Sequence, residues 1–211
     1  MKKKKILGFY DYTVILTYLG AAFAIAGIFC SINKRFLLAI ICIVLAGICD
    51  MFDGKVAFTK NRNHQERMFG IQIDSMSDFV NFGIFPAVFV YMYLDRSVLA
   101  GVFSGIYILC ALIRLSFFNV MEAERQEKND KHGTEYLGVP VTASAFLLPF
   151  VYLSSELFFE HKGNIFIILL IVLSVGFLCG FRTRSPKKLG LIFILIFALV
   201  EVVGIIFVAL R

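Results

Sequence analysis

From Tyr12 to Asn33 the sequence carries no charged residue. A bilayer core about 30 Å thick is crossed by roughly 20 apolar residues in helical form, so this run alone commits the chain to a membrane. Tyr136–Ser155, Asn164–Phe181 and Leu189–Leu210 repeat the pattern, the last interrupted only by Glu201. Ser97–Ile113 is slightly shorter and ends at Arg114. Phe36–Cys49 and Phe79–Leu94 are too short, because Asp50 closes one and Asp78 precedes the other. Each spans only if its helix continues through its aspartates.

The expected fold is therefore an all-α integral membrane protein of seven transmembrane helices. It is read as one domain over 1–211, with 1–11 as a basic N-terminal segment and no cleavable signal. Composition agrees: 59% of the 211 residues are hydrophobic and 17% charged, against about 45–50% and 25% in a soluble domain. A soluble globule and a disordered chain are both excluded. The net charge of +6 points to the anionic membrane face rather than to nucleic acid. With the N-terminus inside, 15 of the 21 Lys and Arg fall in cytoplasmic segments and five outside, the bias expected of that orientation. The C-terminus is then outside. The five cysteines lie in apolar runs without ligand-like spacing and read as packing residues.

Asp50 and Asp53 stand three apart, Asp74 and Asp78 four apart. Both spacings put a pair on one helix face. A connection of about a dozen residues lets the two helices run antiparallel, so four carboxylates converge at one depth. A carboxylate deep in a span costs about 2.5–3.5 kcal/mol, and four cost on the order of 10 kcal/mol before repulsion. Hard divalent cations with oxygen ligands answer that cost, and two of them suit phosphoryl chemistry. The bland alternative is a set of solvated helix ends. Gly54 and Ala57 leave room for a bulky ligand beside the helix backbone.

The string Asp50-x-x-Asp53-Gly54-x-x-Ala57 … Gly70-x-x-x-Asp74-x-x-x-Asp78 resembles the signature of the CDP-alcohol phosphatidyltransferases. The resemblance runs from about Tyr12 to Lys188. Asp74-Ser75-x-x-Asp78-x-Val80-x-Phe82-Gly83-x-x-Pro86, Arg114-Leu115-x-x-Phe118-Asn119 and Gly138-Val139-Pro140-Val141 are similar to the serine-using branch of that family. The resemblance implies metal ligation by Asp50, Asp53, Asp74 and Asp78, with Asp78 also the general base. It implies binding of the CDP-lipid along Gly54, Ala57 and Gly70, two Mg or Mn ions, CDP-diacylglycerol as donor and L-serine as acceptor. It also implies a site facing the cytoplasm and a homodimer among membrane lipids. Phe58 stands where the family has Arg, and the connection from Phe58 to Gly70 is longer than usual. Thr142 and Phe117 replace a common Pro and Arg. Lys60 or Arg62 is a candidate to supply the missing cation.

Arg114, alone in its span, reads either as a snorkelling side chain or as the contact to the acceptor carboxylate or a phosphate. Asn119 reads as a helix-end cap or a substrate contact. Arg182, Ser185 and Lys187, in a short basic loop, are candidates to hold a phosphate. His64, His132 and His161 form no cluster, and Glu201 suits an interhelical hydrogen bond or a protonated side chain. Two rival functions remain open on the residues alone. One keeps the chemistry and changes the acceptor to glycerol phosphate or inositol. The other, a divalent-metal transporter, is disfavoured by carboxylates gathered near one face and by the absence of an internal repeat.

Overall fold

The computed structural model describes residues 8–10, 12–57, 59–60, 63–127, 135–158, 163–180, 182–184, 201, 203–208 and 210. A 3-10 turn, Tyr12–Val14, opens α1 (Ile15–Ile32), and α2 (Phe36–Ala57) follows. The third span is continuous but has three parts: α3 (His64–Asp78), a π-helical segment (Phe79–Ile84) and α4 (Phe85–Tyr93). Then come α5 (Val98–Glu127), strand β1 (Glu135–Leu137), α6 (Ser144–Phe158), α7 (Gly163–Leu178) and strand β2 (Arg182–Arg184). Among the described residues, four helical stretches are long and apolar enough to cross a membrane, and two shorter apolar helices accompany them. The chain is a multi-pass α-helical membrane protein. Most of the expected seventh span lies outside the described residues, although Glu201 and 203–208 are helical.

Both short spans do continue through their aspartates: α2 passes Asp50 and Asp53, and the third span passes Asp74 and Asp78. The third span starts earlier than the apolar pattern indicates. Asn63 and Glu66 form a capping box, Glu66 N–H donating to Asn63 Oδ1 at 2.8 Å and Asn63 N–H to Glu66 Oε2 at 3.0 Å. Two orphan donors of the first turn are thereby satisfied, and the helix begins at His64. The connection from α2 is 58–63, about half the expected length. At about 1.5 Å per residue, the 30-residue stretch His64–Tyr93 is about 45 Å long. Its polar first turns therefore extend beyond a hydrocarbon core of about 30 Å.

Close packing rests on a seam of small residues. Thr17, Gly20, Ala24, Gly27 and Ser31 of α1 are buried at alternating spacings of three and four. In lipid, small side chains let helices approach closely and gain dispersion contacts. Gly20 faces Cys49 of α2 and Asn81 of the π segment; Gly27 faces Cys42 and the Phe85 ring. A Cβ at Gly27 would overlap that ring. One helix thus holds α2 and the third span together.

The π segment has a local cause and a tertiary one. Pro86 has no N–H, so the Phe82 carbonyl loses its helical donor. Tyr107 of α5 donates to that oxygen at 2.6 Å, and Ser144 Oγ, which donates to the Val141 carbonyl at 2.9 Å, lies within reach of it at 3.3 Å. Such insertions are what distort a helix ladder. Beyond α5 the backbone departs from the expected span at Tyr136, because Glu135–Leu137 pairs antiparallel with Arg182–Arg184 instead. Gly138 follows at φ +73°, and a Cβ there would lie 2.6 Å from the Cys179 carbonyl. At the opposite end of the bundle Lys34 Nζ lies 2.6 Å from Asp95, and this ammonium holds the exposed Asp95 carboxyl below the usual carboxylate range.

Candidate active site

The four aspartates meet. One carboxylate oxygen from each of Asp50, Asp74 and Asp78 lies within 4.8 Å of the other two. The carboxyl groups of Asp50 and Asp78 lie against each other across α2 and α3, as do those of Asp53 and Asp74. Asp53 is buried and accepts a hydrogen bond from Thr17 Oγ1 at 3.3 Å. Carboxylates brought this close cannot all stay ionised without compensating positive charge. The donor set fits a divalent cation. Hard ions bind carboxylate oxygen at about 2.0–2.6 Å, so two oxygens on one ion stand no more than about 5 Å apart. The three oxygens meet that limit, and no nitrogen or sulfur donor is among them.

Gly54 is exposed, with open space where a Cβ would project. Among the described residues, nothing closes off this side of α2 beside Asp53 to a ligand. Gly70 is buried in α3 one turn before Asp74. Ala57 ends α2.

The neighbouring polar residues come from α5. Asn119 lies inside this long helix rather than at its end, and its Nδ2 donates to Ser75 Oγ at 2.8 Å. Arg114 is 7% exposed and does not snorkel; its Nε donates to the Val139 carbonyl at 3.3 Å. Its guanidinium also stands 5.8 Å from the centre of the Phe118 ring. The Asn119–Ser75 contact and the packing of Ala111 on Gly83 set one antiparallel register between α5 and the third span. That register puts Arg114 level with Val80, within a turn of Asp78. The β1–β2 pairing sets Arg182 opposite Leu137, two residues from the Val139 carbonyl that Arg114 holds. Ser185 and Lys187 lie outside the described residues, as do Phe58 and Arg62. Lys60 pairs with Glu66 at 3.4 Å, at the start of α3.

A model of the CDP-alcohol phosphatidyltransferases matches residues 13–209. The chain belongs to that family. Among curated proteins it is 29% identical over 170 residues to an archaetidylserine synthase of Methanothermobacter thermautotrophicus, covering 80% of this chain and 68% of the relative. It is 29% identical over 205 residues to a CDP-diacylglycerol–serine O-phosphatidyltransferase of Methanocaldococcus jannaschii, covering 96% and 87%. A protein of the same name from Helicobacter pylori is 26% identical over 166 residues, covering 76% of this chain and 66% of the relative. The chain thus spans about two thirds of the Methanothermobacter and Helicobacter proteins.

Three polar residues near the aspartates escaped the sequence reading. Thr17 contacts Asp53, Ser77 Oγ donates to the Thr17 carbonyl at 3.2 Å, and Asn81 Nδ2 donates to Ser77 Oγ at 3.2 Å. For Thr17 the available signal was a hydroxyl in register with Gly20, Ala24 and Gly27, hence on the packed face.

Proposed function

We propose that this protein transfers a phosphatidyl group from CDP-diacylglycerol to the hydroxyl of L-serine, giving phosphatidylserine and CMP. The observation that carries the reading is the convergence of Asp50, Asp74 and Asp78 from two helices, with Asp53 beside them and an open face at Gly54. The relatives' names agree on serine.

Asp50, Asp53, Asp74 and Asp78 would hold two divalent ions, Mg or Mn, which when bound would supply positive charge to the diphosphate and to the departing CMP. The CDP-lipid lies along Gly54, Ala57 and Gly70. Asp78 accepts the serine hydroxyl proton as that oxygen bonds to the lipid-side phosphorus and the bond to CMP breaks. Arg114 leaves guanidinium N–H groups beyond its Val139 contact and offers them to the serine carboxylate. Asn119 holds the α3 face through Ser75. Arg182, with Ser185 and Lys187, holds a phosphate. The chain acts as one domain, as a homodimer, with the site on the cytoplasmic face.

The purified protein in detergent is given CDP-diacylglycerol, Mg or Mn, and serine, glycerol phosphate or inositol in turn. CMP release with serine, absent in Asp50→Ala, is the expected result. Release with another acceptor in place of serine overturns the acceptor. No release with any of them overturns the activity.

A further inference from the structure

Thr17 connects the two aspartate helices from a third. Its side-chain hydroxyl reaches Asp53 Oδ2 on α2 at 3.3 Å, and its main-chain carbonyl takes the Ser77 hydroxyl of α3 at 3.2 Å. Thr17 is 6% exposed and Asp53 9%. Gly20, one turn further along α1, lets Asn81 close in behind Ser77.

This contact bears on how Asp53 can bind a cation. A carboxylate can offer one oxygen or both. Large Ca2+ takes six to eight oxygens and accepts bidentate carboxylates, whereas Mg2+ demands near-octahedral geometry with single oxygens. An alcohol donating to one oxygen occupies one of its lone pairs and turns it toward the donor, which favours the other oxygen as the one presented to the ion. Such outer partners fix ligand direction and govern affinity. Asp53 touches Asp74 but stands outside the trio of oxygens that share the 4.8 Å cluster.

We propose that Thr17 is a positioning residue that confines Asp53 to one cation-facing oxygen, so that the site selects a small octahedral ion over a larger one. This rests on the metal-site reading above. Thr17→Val keeps the side-chain shape and the carbonyl that Ser77 uses, and removes only the hydroxyl. Thr17→Ser restores it.

The test needs no turnover. Thermal unfolding of the purified proteins in detergent, without nucleotide or lipid substrate, is titrated with Mg2+ and separately with Ca2+. Wild type should be stabilised at lower Mg2+ than Ca2+. In Thr17→Val the Mg2+ midpoint should rise about tenfold, the usual order for losing an outer-shell partner. Its Ca2+ midpoint should hold or fall, and Thr17→Ser should keep the wild-type ratio. A ratio unchanged in Thr17→Val, or equal weakening of both ions, overturns the role of Thr17 while leaving the metal site standing. A ratio lost in Thr17→Ser also overturns it, since the hydroxyl is then not the agent. Wild type that neither ion stabilises overturns the metal site itself, and this role with it.

Discussion

Asp78 differs from its three neighbours in position. It ends α3 and is followed at once by the π segment, so it lies furthest along the third span from the capping box that starts that span. It contacts Asp50 across the helix pair and shares the cluster with Asp74. A positioned general base contributes about 10²–10⁴-fold. Asp78→Asn keeps the shape and one ligand oxygen but accepts no proton. CDP-diacylglycerol should still bind, while single-turnover CMP release falls by about two orders of magnitude or more. Unchanged release rules out the base, and lost donor binding makes Asp78 a ligand only. Arg114 is tested by comparing substrates. Its Nε already holds the Val139 carbonyl, so Arg114→Ala risks a structural effect as well. If it also binds the serine carboxylate, the serine KM should rise at least about tenfold more than that for CDP-diacylglycerol, the equivalent of about 1.5 kcal/mol for a charge-assisted bond. Equal rises would assign it to holding the connector. The aspartates were legible because charge in an apolar run demands a reason. Thr17 was not, because a threonine costs little in a span and its partner is set by helix packing.

At the scale of elements, the third span joins local signals to tertiary ones. Its start was written in Asn63-x-x-Glu66, within a polar stretch that an apolar-run search passes over. The π segment depends on more than Pro86. The freed Phe82 carbonyl is buried; its donor comes from α5, and a second hydroxyl at the start of α6 stands within reach of it. No local pattern names Tyr107 and Ser144 as those two groups. The β1–β2 pairing was equally hidden, since three-residue strands form only where packing has already brought distant parts of the chain together, as it does Phe177 at the end of α7 and Tyr107 midway along α5. Tyr107→Phe should destabilise the protein by about 1 kcal/mol, within the range for a hydrogen bond between membrane helices. Thermal unfolding in detergent measures it. Tyr107→Phe combined with Ser144→Ala should lose more than the sum of the two single variants, because Ser144 can turn to cover the carbonyl only while it keeps its hydroxyl. Additive losses would mean that the two hydroxyls do not share this task.

At the scale of the whole molecule, the aspartates occupy one end of the bundle, and the Lys34–Asp95 pair marks the other. The basic residues near the aspartate end are many: Lys55, Lys60, Arg67, Arg182 and Arg184 belong to the described chain there. Anionic lipid of the inner leaflet attracts such residues at about 1 kcal/mol each, and cytoplasmic segments carry the Lys and Arg excess. The aspartate end should therefore face the cytoplasm, where soluble serine and CMP can exchange. Two exposed positions test this directly. Gln65 lies in the first turn of α3, and Asn164 at the start of α7 on the opposite end. In a protein whose native cysteines are replaced by serine, Gln65→Cys and Asn164→Cys are treated with a membrane-impermeant maleimide. In intact cells Asn164→Cys should label and Gln65→Cys should not, and both should label once the membrane is opened. The reverse pattern overturns the orientation. Labelling of both positions in intact cells would mean that the two ends do not lie on opposite sides of the bilayer, which contradicts the length and apolar character of the helices between them.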